Sequence, residues 1–307
     1  WPTPEWLQRV GVVASLHSDQ ADGLRRLFGQ EALRVVTFAS GGKGVGKTTV
    51  VANVAAAIAR QGKEVLVLDE NTAGNVASAF GVQAKYDLFH VVNRDRRLAE
   101  VLVHVAPGVR VLPAARAVKK LGKLHRSQQE ALIEAIAGME HPADVILVDT
   151  TMDHPLGFSP LGLAAQDTIV VASATGAAIT EAYALIKKVS LGYDRRHFRI
   201  LVNKVKAADD AEAIFRNLAE LARTRGVALL ESVGYVPQDD MVRHALRLSQ
   251  PAVSVYPESV AAGALRGIAG EILGWPAIES EAGGLEQFVQ QLLHLSQRID
   301  PVTIHAG

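Results

Sequence analysis

Eight residues limit what this chain can fold into more than any other stretch. Gly41-Gly42-Lys43-Gly44-Val45-Gly46-Lys47-Thr48 satisfies the pattern G-x-x-x-x-G-K-[ST]. It follows the β-branched run Val35 to Ser40 and opens an alanine-rich helical segment, Thr48 to Arg60. Strand, glycine loop and helix in that order make a phosphate cradle. The glycines let successive backbone N–H groups turn inward around phosphate oxygens, and the helix start adds the positive end of its dipole. Lys47 reaches the terminal phosphates and Thr48 offers a hydroxyl to Mg²⁺. Gly41 through Thr48, with Thr49 beside them in the first turn, are therefore the candidate residues for a nucleoside triphosphate. A glycine-rich turn matching by chance would not sit between a strand and a helix on the required sides.

The rest of the chain repeats the same alternation. Short apolar runs at Val65 to Asp69, Val109 to Pro113, Val145 to Asp149, Thr168 to Ser173, Arg199 to Asn203 and Leu229 to Val236 bring the candidate strands to seven. Helical patterns fill the gaps at Gln128 to Ala137, Ile179 to Val189 and Ala211 to Thr224. Strands that are apolar nearly throughout belong where helices cover both faces, so the expected fold is a doubly wound, mostly parallel α/β sheet of about seven to eight strands. Asp149 closes the run Val145-Ile146-Leu147-Val148, where a carboxylate on the metal side of a phosphate site belongs. A capping role is the alternative for such a residue. Three units are expected: an N-terminal extension (1–33), the phosphate-binding domain (34–274), and a linker with a C-terminal helix (275–307).

Charge and composition narrow the partners. Lys plus Arg number 32, as do Asp plus Glu, so no global field draws the chain to nucleic acid. The basic run Arg116, Lys119, Lys120, Lys123, His125 and Arg126 reads as a solvated helix face rather than a nucleic-acid patch. There are no cysteines, which excludes a disulfide framework and Cys-ligated metal, and no histidine spacing implies a metal beyond Mg²⁺. The first ten residues lack a signal peptide's basic start and apolar run, and no stretch reaches the roughly 18 apolar residues of a membrane span. A cytoplasmic location is expected.

These motifs together resemble the MinD/ParA group of deviant-Walker ATPases, P-loop NTPases of the SIMIBI class. Besides the loop, the resemblance rests on the strand-end Asp69 followed by Gly74-Asn75, the Asp149 strand, Ala174 to Lys187, Val202-Asn203-Lys204, and Tyr235-Val236-Pro237-Gln238-Asp239. It implies ATP or ADP with Mg²⁺ as cofactor, Asn203 and the Pro237 to Asp239 turn beside the adenine, Asp69 with Thr48 and Asp149 near the metal, and an ATP-dependent homodimer. In the N-terminal extension, Asp19-Gln20-Ala21-Asp22-Gly23-Leu24-Arg25-Arg26-Leu27 looks like the DQAxxLR motif of the flagellar-number subfamily, FlhG or FleN. That likeness implies docking on the GTPase FlhF through Asp19, Gln20, Leu24 and Arg25, and action on a flagellar transcription activator or switch-complex proteins. A short amphipathic helix covering the domain is the plainer reading of the same residues.

At three positions the chain departs from the family pattern. Family members read GKGGVGKT; here the signature lysine position is Gly42, and Lys43 lies one step late, over 3 Å away along the chain. Where a second Asp orients the attacking water stands Asn71, whose amide holds water but takes no proton. Glu70 between them should point to the other side of an extended segment. After Asp149 comes Thr150-Thr151-Met152-Asp153 in place of D-[TA]-P-A-G, the loop that senses the terminal phosphate. Asn71, Asp149 and the displaced Lys43 are the candidate catalytic positions, and together the changes imply retained binding with weak or lost hydrolysis. An active MinD- or ParA-like ATPase positioning DNA or division machinery, and a secretion- or cellulose-associated relative, are the competing readings.

The tail carries one more device. Leu285, Phe288, Val289, Leu292, Leu293, Leu295 and Ile299 share one helical face. By resemblance such a helix reaches the inner membrane, with Phe288, Val289, Leu292, Leu293 and Leu295 in the lipid. Only Arg298 and His294 on its polar face favour anionic lipid, so a groove on the protein or a partner fits equally well.

Overall fold

The computed structural model describes residues 33–120, 124–137, 143–151, 154, 158–275 and 284–298. The Asp19 to Leu27 motif lies outside them. Among the described residues, eight strands form one sheet: β1 (Arg34–Ala39), β2 (Val65–Asp69), β3 (Val103–Ala106), β4 (Val109–Pro113), β5 (Val145–Asp149), β6 (Asp167–Ser173), β7 (His197–Val205) and β8 (Leu229–Pro237). Their order is β3-β4-β2-β5-β1-β6-β7-β8. All neighbours are parallel except β3, which runs antiparallel to β4. The sequence predicts the other seven strands. β3 escapes it because four residues, only partly buried at the sheet edge, carry too little apolar pattern.

Thirteen helices of very different length connect or flank the strands in the described chain. In order they are α1 (Lys47–Ala59), α2 (Val76–Ala79), α3 (Leu88–Val92), α4 (Leu98–Val101), α5 (Ala115–Val118), α6 (Arg126–Ala137), α7 (Pro160–Ala164) and α8 (Gly176–Tyr193). There follow α9 (Ala208–Thr224), α10 (Asp240–Arg247), α11 (Ala252–Val255), α12 (Val260–Gly274) and α13 (Gly284–Arg298). Alternate strand residues serve opposite faces. Val36, Phe38, Val65, Val67, Val145 and Leu147 face α1 and α12. Leu66, Leu68, Ile146 and Val148 face α3, α7 and α13, while Val170, Ala172, Ile200 and Val202 face α8 and α9. Both faces are therefore dry, which is why β2 and β5 are apolar up to their final aspartate and buried at every position.

Two features of this frame locate the site. β1 lies between β5 and β6, and the chain leaves it first toward β2 on one side and later toward β6 on the other. Ligands of open α/β sheets bind beyond the strand carboxyl ends at such a reversal. Here that point is the loop from Ala39 to Lys47. Its helix α1 is buried along nearly its whole length, and its alanines let it press close to the sheet.

The C-terminal helix takes one of the places the sequence leaves open for it. Phe288, Val289, Leu292 and Leu293 are buried and Leu295 is partly buried, packed with Leu161, Ala164, Leu88 and Leu132. Gln290, Gln291 and His294 face out. The residues assigned to lipid thus fill a groove of the protein itself. Burying each such side chain is worth about 1.5–3 kcal/mol, a gain the groove supplies without lipid. Among the described residues no helix is long and apolar enough to cross a membrane.

Candidate functional site

The glycine loop is built by exclusion and by anchoring. A Cβ on Gly41 would stand 2.0 Å from the backbone carbonyl of Glu181 in α8, so no side chain fits there. Gly46, the residue before α1, has φ 92, a backbone state that glycine adopts without strain. From β7, Asn203 Nδ2 donates to the Val45 carbonyl at 2.8 Å, and Lys204 Nζ donates to the Gly44 carbonyl at 2.6 Å. Lys204 itself has φ 61 beside an irregularity in the β7–β8 register, which turns its side chain back over the loop. With two carbonyls held from behind, the loop's N–H groups are left to face the cavity.

That cavity, of about 410 Å³, is lined by every residue from Gly42 to Thr49 and by Glu70, Asn71, Lys119 and Thr151. At its floor Lys47 Nζ pairs with Asp149 Oδ1, and Thr48 Oγ1 donates to Asp149 Oδ2 at 2.7 Å. Two neighbouring ligands of an octahedral Mg²⁺ lie about 2.9 Å apart, so the Thr48 hydroxyl and the Asp149 carboxylate are spaced to share one. A bound phosphate would draw Lys47 away from Asp149 and leave that carboxylate for the metal.

Asn71 and Asp69 are tied to each other and, through Asn71, to Asp149. Asn71 Nδ2 donates to Asp149 Oδ2 at 2.9 Å and to Asp69 Oδ1 at 3.1 Å, so its amide bridges two carboxylates that would otherwise repel. Asp69 accepts the Val76 N–H at 2.5 Å and the Asn71 N–H at 2.9 Å, and it does not line the cavity. Burial, then the charge of Asp149, pushes Asp69 up from the usual carboxylate range. Its oxygens organise the loop after β2.

Glu70 points the other way from Asp69 and Asn71, as an extended segment requires. Its N–H continues the ladder onto the Asp149 carbonyl at 3.1 Å, and its side chain lies toward α7 beside the cavity. Its Oε2 accepts the Thr151 N–H at 2.9 Å and its Oε1 accepts the Ser159 hydroxyl. Burial pushes this carboxyl up to about 7, while the bonds from Ser159 and Thr151 and the charge of Lys47 pull the other way.

The basic run divides in the same way. Arg116 and Lys120 stack on Phe89, with Lys120 Nζ 4.4 Å from the ring centre, and Lys119 reaches the cavity. Asp87 fixes this arrangement by accepting N–H groups of Phe89, Arg116 and Ala117 at 2.9 to 3.1 Å, which ties α3 to α5. Nothing in the local sequence separates Lys119 from its neighbours; only the turn of α5 against Asp87 does.

A larger space of about 1140 Å³ adjoins the loop, lined by Gly41 to Gly44, Thr175, Glu181, Lys204, Lys206 and Gln238 among others. Lys43 lines both spaces. At Gly42 a Cβ would meet the Glu181 carboxylate at 1.7 Å, so Glu181 occupies the direction in which a signature lysine would leave the loop. Of the turn expected at the adenine, Gln238 faces this space. Asp239 instead caps α10 through Met241 N at 2.8 Å and holds Ala261 N at 3.1 Å. Pro237 ends β8 and lines neither space.

Comparison with known proteins agrees with this geometry. The AAA domain family matches residues 33–199 of the 307. The antiactivator FleN of Pseudomonas aeruginosa is 30% identical over 88% of this chain and 97% of its own length. The flagellum site-determining protein YlxH of Helicobacter pylori is 25% identical over 85% of this chain and 90% of its own. The septum site-determining protein MinD of Pyrococcus horikoshii, solved with Mg-ADP, superposes with a TM-score of 0.60 at 22% identity, covering 78% of this chain and 96% of that one, a likeness of fold. The chain thus belongs to the P-loop ATPases of the MinD/ParA type, as a homologue of FleN.

Proposed function

We propose that this protein is an ATP-binding regulator of flagellar number or placement, working as a nucleotide-dependent switch rather than as a fast ATPase. The observation that carries the reading is the anchored loop with its Lys47, Thr48 and Asp149 floor, in a chain similar to FleN along nearly all of FleN's length. Lys47 and the loop N–H groups hold the phosphates, Thr48 and Asp149 hold Mg²⁺, and Gln238 and Lys204 border the space for the base. The Mg²⁺ supplies charge neutralisation across the outer phosphates.

Weak turnover follows from the residues at the reacting end. Asn71 takes no proton and its amide is engaged by two carboxylates, and Gly42 offers no lysine. The partner is the GTPase FlhF, docked through the Asp19 to Leu27 segment, with a flagellar transcription activator or switch-complex protein downstream. Binding of ATP favours a homodimer in the cytoplasm, and contact with the inner membrane requires α13 to leave its groove.

Two experiments test this. Titration with a fluorescent ATP should show Mg²⁺-dependent binding that Lys47→Ala removes, with phosphate release far slower than in intact relatives; rapid release abolished by the same change sinks the switch reading. Pull-down of FlhF should succeed with wild type and fail with Gln20→Ala/Arg25→Ala, and equal capture by both removes the FlhF assignment.

A further inference from the structure

Glu70 has no place in the phosphate-binding pattern, yet it is an acidic side chain buried beside the site. It is 2% exposed, and its two oxygens reach two points far apart in sequence. Oε2 accepts the Thr151 N–H at 2.9 Å, two residues past Asp149, where Thr151 lines the phosphate cavity. Oε1 accepts the hydroxyl of Ser159. Ser159 Oγ in turn accepts the Gly162 N–H at 2.9 Å as the N-cap of α7. Thr151 lies two residues past Asp149 at the end of β5, and Ser159 opens α7, the helix beneath α13.

We propose that Glu70 is a positioning residue of the nucleotide site, whose carboxylate fastens Thr151 to Ser159 and so sets Thr151 against the outermost phosphate. This rests on the reading of the cavity as an ATP site. The argument is one of reach and chemistry. A carboxylate accepts two bonds at once from a backbone N–H and a hydroxyl, and without it the buried Ser159 hydroxyl would lose its acceptor. The strand end at Asp69 delivers it, because Glu70 N is held by the Asp149 carbonyl at 3.1 Å and its backbone is therefore part of the sheet edge. Thr48 and Asp149 would hold Mg²⁺ on the phosphates, and Thr151, two residues past Asp149, lines the same cavity. Losing the fastening should therefore separate ATP from ADP.

The role also explains why glutamate suffices without a proton-transfer function. In Glu70→Gln the side-chain carbonyl still accepts from Thr151, and the amide can donate to Ser159, whose hydroxyl is both donor and acceptor. Glu70→Asp is one methylene shorter and cannot span both partners.

The test is affinity for fluorescent ATP and ADP analogues with Mg²⁺ in the full chain, for wild type, Glu70→Ala, Glu70→Asp and Glu70→Gln. Glu70→Ala should weaken ATP binding at least about tenfold while ADP changes less than about threefold, and Glu70→Gln should stay within about threefold of wild type for both. Should the alanine variant not fold, Glu70→Asp carries the same expectation. ATP binding unchanged in Ala and Asp, equal losses for ATP and ADP, or a glutamine variant as impaired as alanine would each overturn the positioning role. Absence of ATP binding by wild type overturns instead the ATP reading on which it rests.

Discussion

The cavity is lined by lysines of the P-loop and by one lysine outside it. Lys43, Lys47 and Lys119 bring three positive charges to one cavity wall, and a triphosphate brings more negative charge than Mg²⁺ and Lys47 together offset. Lys119 is exposed, so its share is modest and screened. Lys119→Ala should weaken ATP binding about three- to tenfold in low salt and less at 0.5 M salt, measured by fluorescence titration, whereas Lys120→Ala should leave it unchanged because Lys120 lies on Phe89. A salt-independent loss would mean that Lys119 acts through folding rather than through charge. At the same scale, Gly41, Lys47, Thr48 and Asp149 were all legible, because a phosphate cradle demands particular residue types at fixed spacing. Lys119 and Glu70 were not, since their neighbours in sequence look alike and their roles come from distant partners, Asp87 in one case and Ser159 in the other.

Among the elements, α13 has the most testable position. It covers α7, and α7 is capped by Ser159, so the C-terminal helix stands on the platform that Glu70 helps to hold. Leu292 is 1% exposed. Leu292→Ala should lower unfolding free energy by about 2–5 kcal/mol in urea titration, while Gln291→Ala on the outer face stays within about 0.5 kcal/mol. Equal small effects at both positions would show that the helix is not docked in solution. The amphipathic period predicts the helix and its apolar face, and no more. Lipid, partner and the protein's own groove present the same apolar chemistry, so periodicity alone cannot choose between them. The edge strand β3 and the short helices were hidden for another reason: four or five residues hold too little pattern, and caps such as Asp87 and Ser159 make them through tertiary contacts.

For the molecule as a whole, the question is assembly. Gly42 faces the Glu181 carboxylate, and Lys43 borders both the phosphate cavity and the larger space beside it. A second subunit closing over that space would meet Lys43, Lys204 and Lys206 together. Light scattering should give a dimer mass with ATP and Mg²⁺, a monomer with ADP, and persistence of the dimer over hours if turnover is slow. A monomer under all conditions would remove the dimer from the proposal.

By itself the sequence determined the class of sheet, the cradle at Gly41 to Thr48 and the metal-side Asp149, because these follow from local chemistry: apolar runs buried on two faces, glycines at a tight turn, a carboxylate at a strand end. Only the tertiary structure decided that Asp69 braces a loop, that Asn71 bridges two carboxylates, that Glu70 ties Thr151 to Ser159 and that α13 lies on its own domain. Each of those depends on which strand lies beside which, β2 next to β5 above all, and adjacency of that kind is a property of the packed sheet, not of any one segment.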